Sequence, residues 1–291
     1  MANLKEIRNR ISSVSSTMQI TSAMKMVSAA KLKRSQDAIT RLRPYASKLR
    51  YILENVSGSL DLSENSFTVQ RELNKVIVVA ITSNRGLCGG FNNNVIKRVN
   101  SLIKDEFSSS KVSVLCLGKK IKDVIKKTDY YLSNELLSAH EDIVGALSFE
   151  RTAEISRELM RIFEAKEVDQ IVLVYNRFVN AVTQSVEVEG YLPLKAPEKL
   201  TDHAPKDYLF EPEKAEIIAE LIPKSLNTQL FKALLDSVAA EHAARMTAMH
   251  KATDNASELK KALKLSYNKA RQAAITNEIL EIVGGAEALN S

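Results

Sequence analysis

Hydrophobic positions near the start of the chain recur at intervals of three and four, through Leu4, Ile7, Ile11, Val14 and Met18, and more weakly Thr21. That period predicts one face of a long amphipathic helix, interrupted or kinked near Pro44, whose ring removes a backbone donor. The end of the chain keeps the same period for longer. Phe231, Leu235, Val238, His242, Arg245, Met249, Ala252, Ala256, Leu259, Leu263, Ser266, Ala270, Ala273, Asn277 and Leu280 alternate by three and four. A seam sustained over that many turns is a coiled-coil signal. Lys224 to Val283 would form a rod of roughly 90 Å at about 1.5 Å per residue. Its many Ala and Ser seam positions admit a close partner, and the nearest candidate is the N-terminal helix, packed antiparallel. Gly284 and Gly285 predict the stop.

The middle of the chain has a different rhythm. Lys75 to Thr82 (KVIVVAIT) and Lys111 to Leu117 (KVSVLCL) are short apolar runs of the kind that form buried parallel strands. Asp169 to Phe178 predicts a third strand, and Gln184 to Leu192 alternates as an edge strand does. Helical patterns intervene at Asn92 to Phe107, Lys119 to Lys127 and Ser148 to Lys166. The fold class expected is therefore α/β: a long antiparallel coiled coil of N- and C-terminal helices plus a central Rossmann-like α/β domain. Breakers agree, since no glycine precedes Gly58 and none lies between Gly190 and Gly284, while Pro193, Pro197, Pro205 and Pro212 crowd one stretch. The expected division is 1–58 for the N-terminal helix, 59–206 for the central domain with its Pro-rich connector, and 207–291 for the C-terminal helix.

Composition sharpens this picture in one respect. The 291 residues carry 41 Lys+Arg and 35 Asp+Glu, a net charge of +6. Residues 1–58 hold eleven basic and three acidic groups, so the remainder is slightly acidic. The basic helix has three readings: a solvated face, a nucleic-acid surface, or a rod facing an acidic protein partner. Its basic residues are not interleaved with aromatics, which disfavours nucleic acid. The segment is Ser-rich and poor in acids, like a transit peptide, but its pattern runs on unbroken into the helix and is read as mature protein. The longest apolar run, Val76 to Ile81, is far too short to span a membrane. Cys88 and Cys116 stand apart without metal spacing and are expected as free thiols in a reducing compartment.

Candidate chemistry is sparse. Ser83 to Asn92 (SNRGLCGGFN) lies between a strand and a helix, where open α/β sheets bind ligands. Its G-x-x-G-G order matches neither the dinucleotide fingerprint nor a P-loop, and Gly118-Lys119-Lys120 lacks the hydroxyl a P-loop uses for Mg²⁺. A tight structural turn is the expectation, with Cys88 a buried thiol. His242 and His250, eight apart, have no accompanying ligand set, and His140 and His203 carry no signal. No acid–base or nucleophile–base pair is legible, so no catalytic site, metal or cofactor is expected.

Three blocks nevertheless resemble the gamma subunit of F-type ATP synthases. They are the N-terminal IRNRISSV and MQITSAMKMVSAAKLKRSQ, the central SNRGLCGGFN, and the C-terminal ARMTAMHKATDNA with YNKARQAAITNEILEIVGGAEAL. They fall in family order, with one departure at Asn84, where the family usually has Asp. The resemblance implies a non-catalytic rotor shaft, its coiled coil inside three alpha and three beta subunits. Its α/β domain would sit with the epsilon subunit on the membrane ring of c subunits, with no nucleic acid and no membrane span of its own. By family position Arg271, Gln272, Thr276 and Arg245 would touch beta-subunit loops, with Met24 and Lys25 in the coupling region of the first helix. Tyr208 and Glu211 would lie at the foot, against the ring and epsilon. A location on the cytoplasmic face of a bacterial inner membrane is the corresponding expectation.

Overall fold

The computed structural model describes the backbone of residues 4–57, 66–194 and 214–290. Two long helices, α1 (Leu4–Ser57) and α6 (Lys214–Asn290), enclose in sequence β1 (Lys75–Ile81), α2 (Phe91–Ser101), β2 (Lys111–Leu117), α3 (Lys119–Ile125), α4 (Glu135–Ser138), α5 (Phe149–Glu164), β3 (Gln170–Phe178) and β4 (Gln184–Leu192). Packing divides the chain into two compact units, one made of residues 1–28 with 246–291 and the other of residues 29–245.

The larger unit is built on a four-stranded sheet of order β2-β1-β3-β4. The first three strands are parallel and β4 runs antiparallel along β3. Alternation along β1 explains why both faces are covered. Ile77, Val79 and Ile81 point into a core with Ile155, Leu159 and Phe163 of α5 and Leu226, Leu230 and Leu234 of α6. Val76, Val78 and Ala80 point the other way, onto Val95 and Val99 of α2 and Ile121 and Ile125 of α3. Ser148 caps α5 by accepting the Arg151 N–H at 3.3 Å. Segment 130–132 hydrogen-bonds to Val114 and covers the outer edge of β2.

The smaller unit is an antiparallel helix pair. All six expected α1 seam positions are buried or half-buried, Ile7 and Thr21 most fully. On α6 the seam runs through Met249, Thr253, Ala256, Lys260, Leu263, Tyr267, Ala270 and Ala274, each at least half-buried, while Leu259 is 51% exposed. This corrects the expected register at alternate positions: Leu259, Ser266 and Ala273 yield to Lys260, Tyr267 and Ala274. The cause is polar, because Lys260 and Tyr267 find hydrogen-bond partners on α1 that a leucine or alanine does not need.

Two further expectations are corrected: an interruption at Pro44 and a stop at Gly284 and Gly285. Helix α1 runs through Pro44 without interruption. Pro44 lies on the exposed side, and the turns around it are held by buried Ile39 and Leu49. Helix α6 likewise continues through Gly284 and Gly285, to 77 residues and about 115 Å of rise. Glycine there weakens the helix without ending it. Replacing both with alanine is expected to stabilise this end by about 1 kcal/mol per site, since nothing lies within 4 Å of either added Cβ. Circular dichroism should show more helix near the onset of melting; an unchanged curve would argue against it.

Candidate functional site

The polar chemistry of the larger unit gathers at the carboxyl end of β1. Beyond β1 the chain enters the glycine-rich loop, and Asn92, at the start of α2, stitches it closed. Its Oδ1 accepts the Ser83 N–H at 3.0 Å, and its Nδ2 donates to Ser83 Oγ at 2.9 Å and Cys88 Sγ at 3.2 Å. Ser83 Oγ donates to the Arg85 carbonyl at 2.6 Å. To close so tightly the backbone enters the left-handed region at Leu87 (φ 63°) and Gly89 (φ 59°). Leu87 holds this conformation while 64% exposed.

The loop is gripped from α6. Arg245, only 8% exposed, donates through Nη2 to the carbonyls of Arg85 (3.1 Å) and Gly86 (3.2 Å), and through Nη1 to Glu241 Oε1 at 2.6 Å. Burial raises the Glu241 carboxyl above its usual range, against the opposing pull of Arg245. Below this pair, Cys88 and Phe91 pack on Ala240, with Phe178 and Ala244 alongside. Small side chains on α6 let the loop come this close. Asn176 Nδ2 on β3 adds a bond to the Phe91 carbonyl at 3.0 Å. A phosphate cradle needs converging N–H donors; here the loop offers α6 two carbonyls, and a guanidinium occupies the space between them. The arrangement is a latch holding helix to sheet.

Asn84 uses both ends of its amide, with Oδ1 accepting the Lys119 N–H at 3.0 Å and Nδ2 donating to the Asp142 carbonyl at 3.1 Å. An aspartate at this position would accept the first bond and have no donor for the second. Nearby, Glu141 binds Lys122 and accepts the Tyr131 hydroxyl at 2.6 Å. Burial, and then the charge of Glu141, push the Cys116 thiol up to about 12, which makes it an inert thiol. Burial, with Arg245 and Lys31, pulls His242 down to about 4, so it is neutral at pH 7. Among the described residues there is no group of three metal-ligating side chains, and no helix long and apolar enough to cross a membrane.

The remaining residues singled out from sequence occupy separate places in the helix pair. Arg271, Gln272 and Thr276 are exposed on α6, Thr276 Oγ1 donating to the Gln272 carbonyl at 2.9 Å. Met24 and Lys25 are half-buried on α1. Arg8 donates to the Tyr267 hydroxyl, and Lys260 to Ser15 Oγ. That register sets Met24 level with the residues around Lys251, about 30 Å along the axis from Gln272. They form two bands, not one cluster. Arg245 belongs to the other unit, its guanidinium turned inward to the latch. Tyr208 and Glu211 lie outside the described residues. Sequence reasoning missed the latch partners of Arg245, because backbone carbonyls carry no residue signature.

Past the level of Leu4, α6 has no facing residue on α1 among those described. Ile275, Ile279, Leu280, Ile282 and Val283 stand exposed there, Ile282 by 71%.

Comparison with known proteins agrees with this architecture. A sequence model described as ATP synthase matches residues 3–289. A relative from Flavobacterium psychrophilum named ATP synthase gamma chain is 59% identical over 290 residues, 99% of each chain. One of the same name from Cytophaga hutchinsonii is 49% identical over 299 residues, covering both chains fully. Among solved structures, the rotor of the Euglena gracilis mitochondrial ATP synthase matches with a TM-score of 0.63 at 21% identity, covering 94% of this chain and 98% of that one. The central stalk of the Tetrahymena thermophila enzyme matches at 0.57 and 24%, covering 80% and 99%. At such identity these structures speak for the fold. With the family match running over nearly the whole length, the chain belongs to the ATP synthase gamma-chain family.

Proposed function

We propose that the chain is the central shaft of a rotary ATP synthase, coupling ion-driven rotation of a membrane ring to ATP synthesis on neighbouring beta subunits. The observation that carries this reading is the helix pair with its uncovered tip. A lone helical end showing five aliphatic side chains is poorly suited to water and well suited to an apolar collar. Its two faces differ, so each subunit of a surrounding ring of three alpha and three beta subunits meets a different surface. Turning the shaft changes which beta conformation is favoured, and by linkage a beta subunit that changes state turns the shaft. Each charge crossing the membrane supplies about 2.3 kcal/mol per 100 mV, so several cross per ATP.

In this reading segments 1–58 and 207–291 form the shaft and its root, and segment 59–206 forms the body that stands on the c ring with epsilon. The assembly lies on the cytoplasmic face of a bacterial inner membrane. Arg271, Gln272 and Thr276 make one contact band with the beta subunits, and Met24 and Lys25 a second, lower one. Tyr208 and Glu211 serve the foot. Arg245 acts inside the shaft's root, holding the loop that ties sheet to helix.

The test is reconstitution with the alpha and beta subunits and the membrane sector. Gln272→Leu and Arg271→Ala should each lower coupled synthesis by about tenfold, as loss of roughly 1.4 kcal/mol of coupling requires. Both side chains are exposed, so melting of the isolated chain should move little. Undiminished synthesis in both variants would remove the upper band from the mechanism. Failure of the chain to enter the complex at all would overturn the shaft itself.

A further inference from the structure

Four carboxyl side chains are buried among the described residues, and three of them are matched at close range. Glu141 binds Lys122 and accepts the Tyr131 hydroxyl. Glu158 accepts from Arg161 at 2.9 Å and from Asn134 at 3.1 Å. Glu241 accepts from Arg245 at 2.6 Å. The fourth, Asp236 on α6, is only 5% exposed, and the cations around it act through distance, without a hydrogen bond among the described residues.

Its surroundings explain why this carboxyl is poorly met. Asp236 lies seven residues beyond Gln229, hence on the same side of α6 and about 10 Å further along. Gln229 Nε2 donates to Glu189 Oε1 at 2.8 Å and to the Gly190 carbonyl at 3.0 Å, both on β4. The Tyr175 hydroxyl of β3 donates to the other Glu189 oxygen at 2.7 Å. Both side-chain donors of the junction thus go to Glu189, a second carboxyl whose charge opposes that of Asp236. Three cations face Asp236 from separate elements: Lys232 one turn back on α6, Arg43 on α1 and Arg177 on β3. Arg43 and Arg177 are exposed, and Arg177 is shared with Glu187 at 3.7 Å. Water screens their pull, which offsets only part of the cost of burial. Asp236 therefore holds its proton above the usual aspartate range, chiefly because it is buried.

We propose that Asp236 makes the seating of α6 on β3 and β4 proton-linked, firmer with a neutral carboxyl and looser with a charged one. On its face of the helix Asp236 is flanked by Ala233, Ala239 and Ala240, all fully buried, whose small side chains let α6 lie close to the sheet. A neutral carboxyl fits that contact and removes the repulsion from Glu189. A charged one must draw water into the contact or lift away from it. A group whose affinity for a proton rises on folding contributes stability at low pH and loses it as the pH climbs through the folded pKa. The junction is therefore firmest in acid. In the proposed shaft this joint lies where α6 rests on the body, but the inference concerns the free chain and does not depend on that reading.

The test compares the full-length chain with its Asp236→Asn variant by urea denaturation from about pH 5 to about pH 8. Titration of the other groups, Glu241 included, is common to both chains and cancels in the difference. The variant should be the more stable near the alkaline end, with an advantage that shrinks as the pH falls. Between the exposed and the buried pKa of Asp236, the ratio of the two unfolding constants should change by up to about tenfold per pH unit. Hydrogen exchange locates the effect. Beyond the intrinsic pH dependence, amides of β4 and of α6 near Asp236 should lose protection with rising pH in the parent and not in the variant. If Asp236→Asn folds badly, carbon NMR of the parent's Asp236 carboxyl reads the same linkage, as a titration well above that of exposed aspartates. Arg43→Gln, which removes one offsetting charge, should move that titration further up. A stability difference that does not vary with pH, or an Asp236 carboxyl that titrates with the exposed aspartates, overturns the proposal and leaves Asp236 an ordinary buried acid.

Discussion

Arg245→Ala is expected to cost the chain about 3–5 kcal/mol, the penalty for leaving one partner of a buried ion pair unpaired. Three groups lose their partner together: the Glu241 carboxylate, buried at 9% side-chain exposure, and the carbonyls of Arg85 and Gly86. Arg245→Lys should recover part of the loss, since an ammonium neutralises Glu241 but does not span two carbonyls in the guanidinium plane. The pH dependence has a definite sign. Burial already raises the folded-state affinity of Glu241 for a proton above that of an exposed glutamate near 4.5, and removing Arg245 raises it further. A group whose folded pKa is raised contributes stability below its unfolded pKa and loses it as pH rises through the folded one. The deficit of Arg245→Ala relative to the parent should therefore shrink as the pH falls toward 4.5. Urea denaturation at two pH values checks both statements; a deficit below about 1 kcal/mol, or one that grows on acidification, would contradict the latch.

The second large effect is expected at Gly118, which joins β2 to α3. Its backbone (φ 120°, ψ 141°) lies where side chains are rarely tolerated. A Cβ added there would stand 2.2 Å from the Thr82 carbonyl oxygen and 2.7 Å from Thr82 Oγ1. Neither neighbour is free to retreat. The Thr82 N–H is bonded to the Leu117 carbonyl at 2.8 Å, and its hydroxyl accepts the Ile121 N–H at 3.1 Å. Gly118→Ala combines backbone strain with overpacking, for a loss of roughly 3–5 kcal/mol. It should lower the urea midpoint with the slope nearly unchanged. A loss within about 1 kcal/mol would mean the β1 and β2 ends part more easily than their hydrogen bonds suggest.

Comparison of sequence with structure shows which physics is written locally. The sheet was legible because runs such as KVIVVAIT have only one way to bury both faces, and β4 announced itself by its polar alternation. The seam of α1 was legible for the same reason. Helix α6 was legible as a helix and half-legible in phase: its Ala- and Ser-rich pattern fits two seams one residue apart, and the choice was made by Lys260 and Tyr267, polar residues that hydrophobic periodicity scores against. Arg245 has the opposite history. Its place in the seam pattern was visible, but its partners are carbonyls about 160 residues away, so its inward role emerges only from tertiary structure. The glycines at 284 and 285 were over-read, since a weak helix former at a helix end is a permission to stop and not an instruction.

The uncovered end of α6 bears on how copies of the chain are inventoried in a cell. A single helix of this length in water is marginal, and two glycines make it more so. In the proposed shaft, a copy that has not been incorporated would expose Ile275, Ile279, Leu280, Ile282 and Val283 to proteases. Incorporation into a surrounding apolar collar, as proposed above, would bury those side chains and stabilise the helix by mass action. In the proposed shaft the same five side chains would thus distinguish a free copy from an installed one.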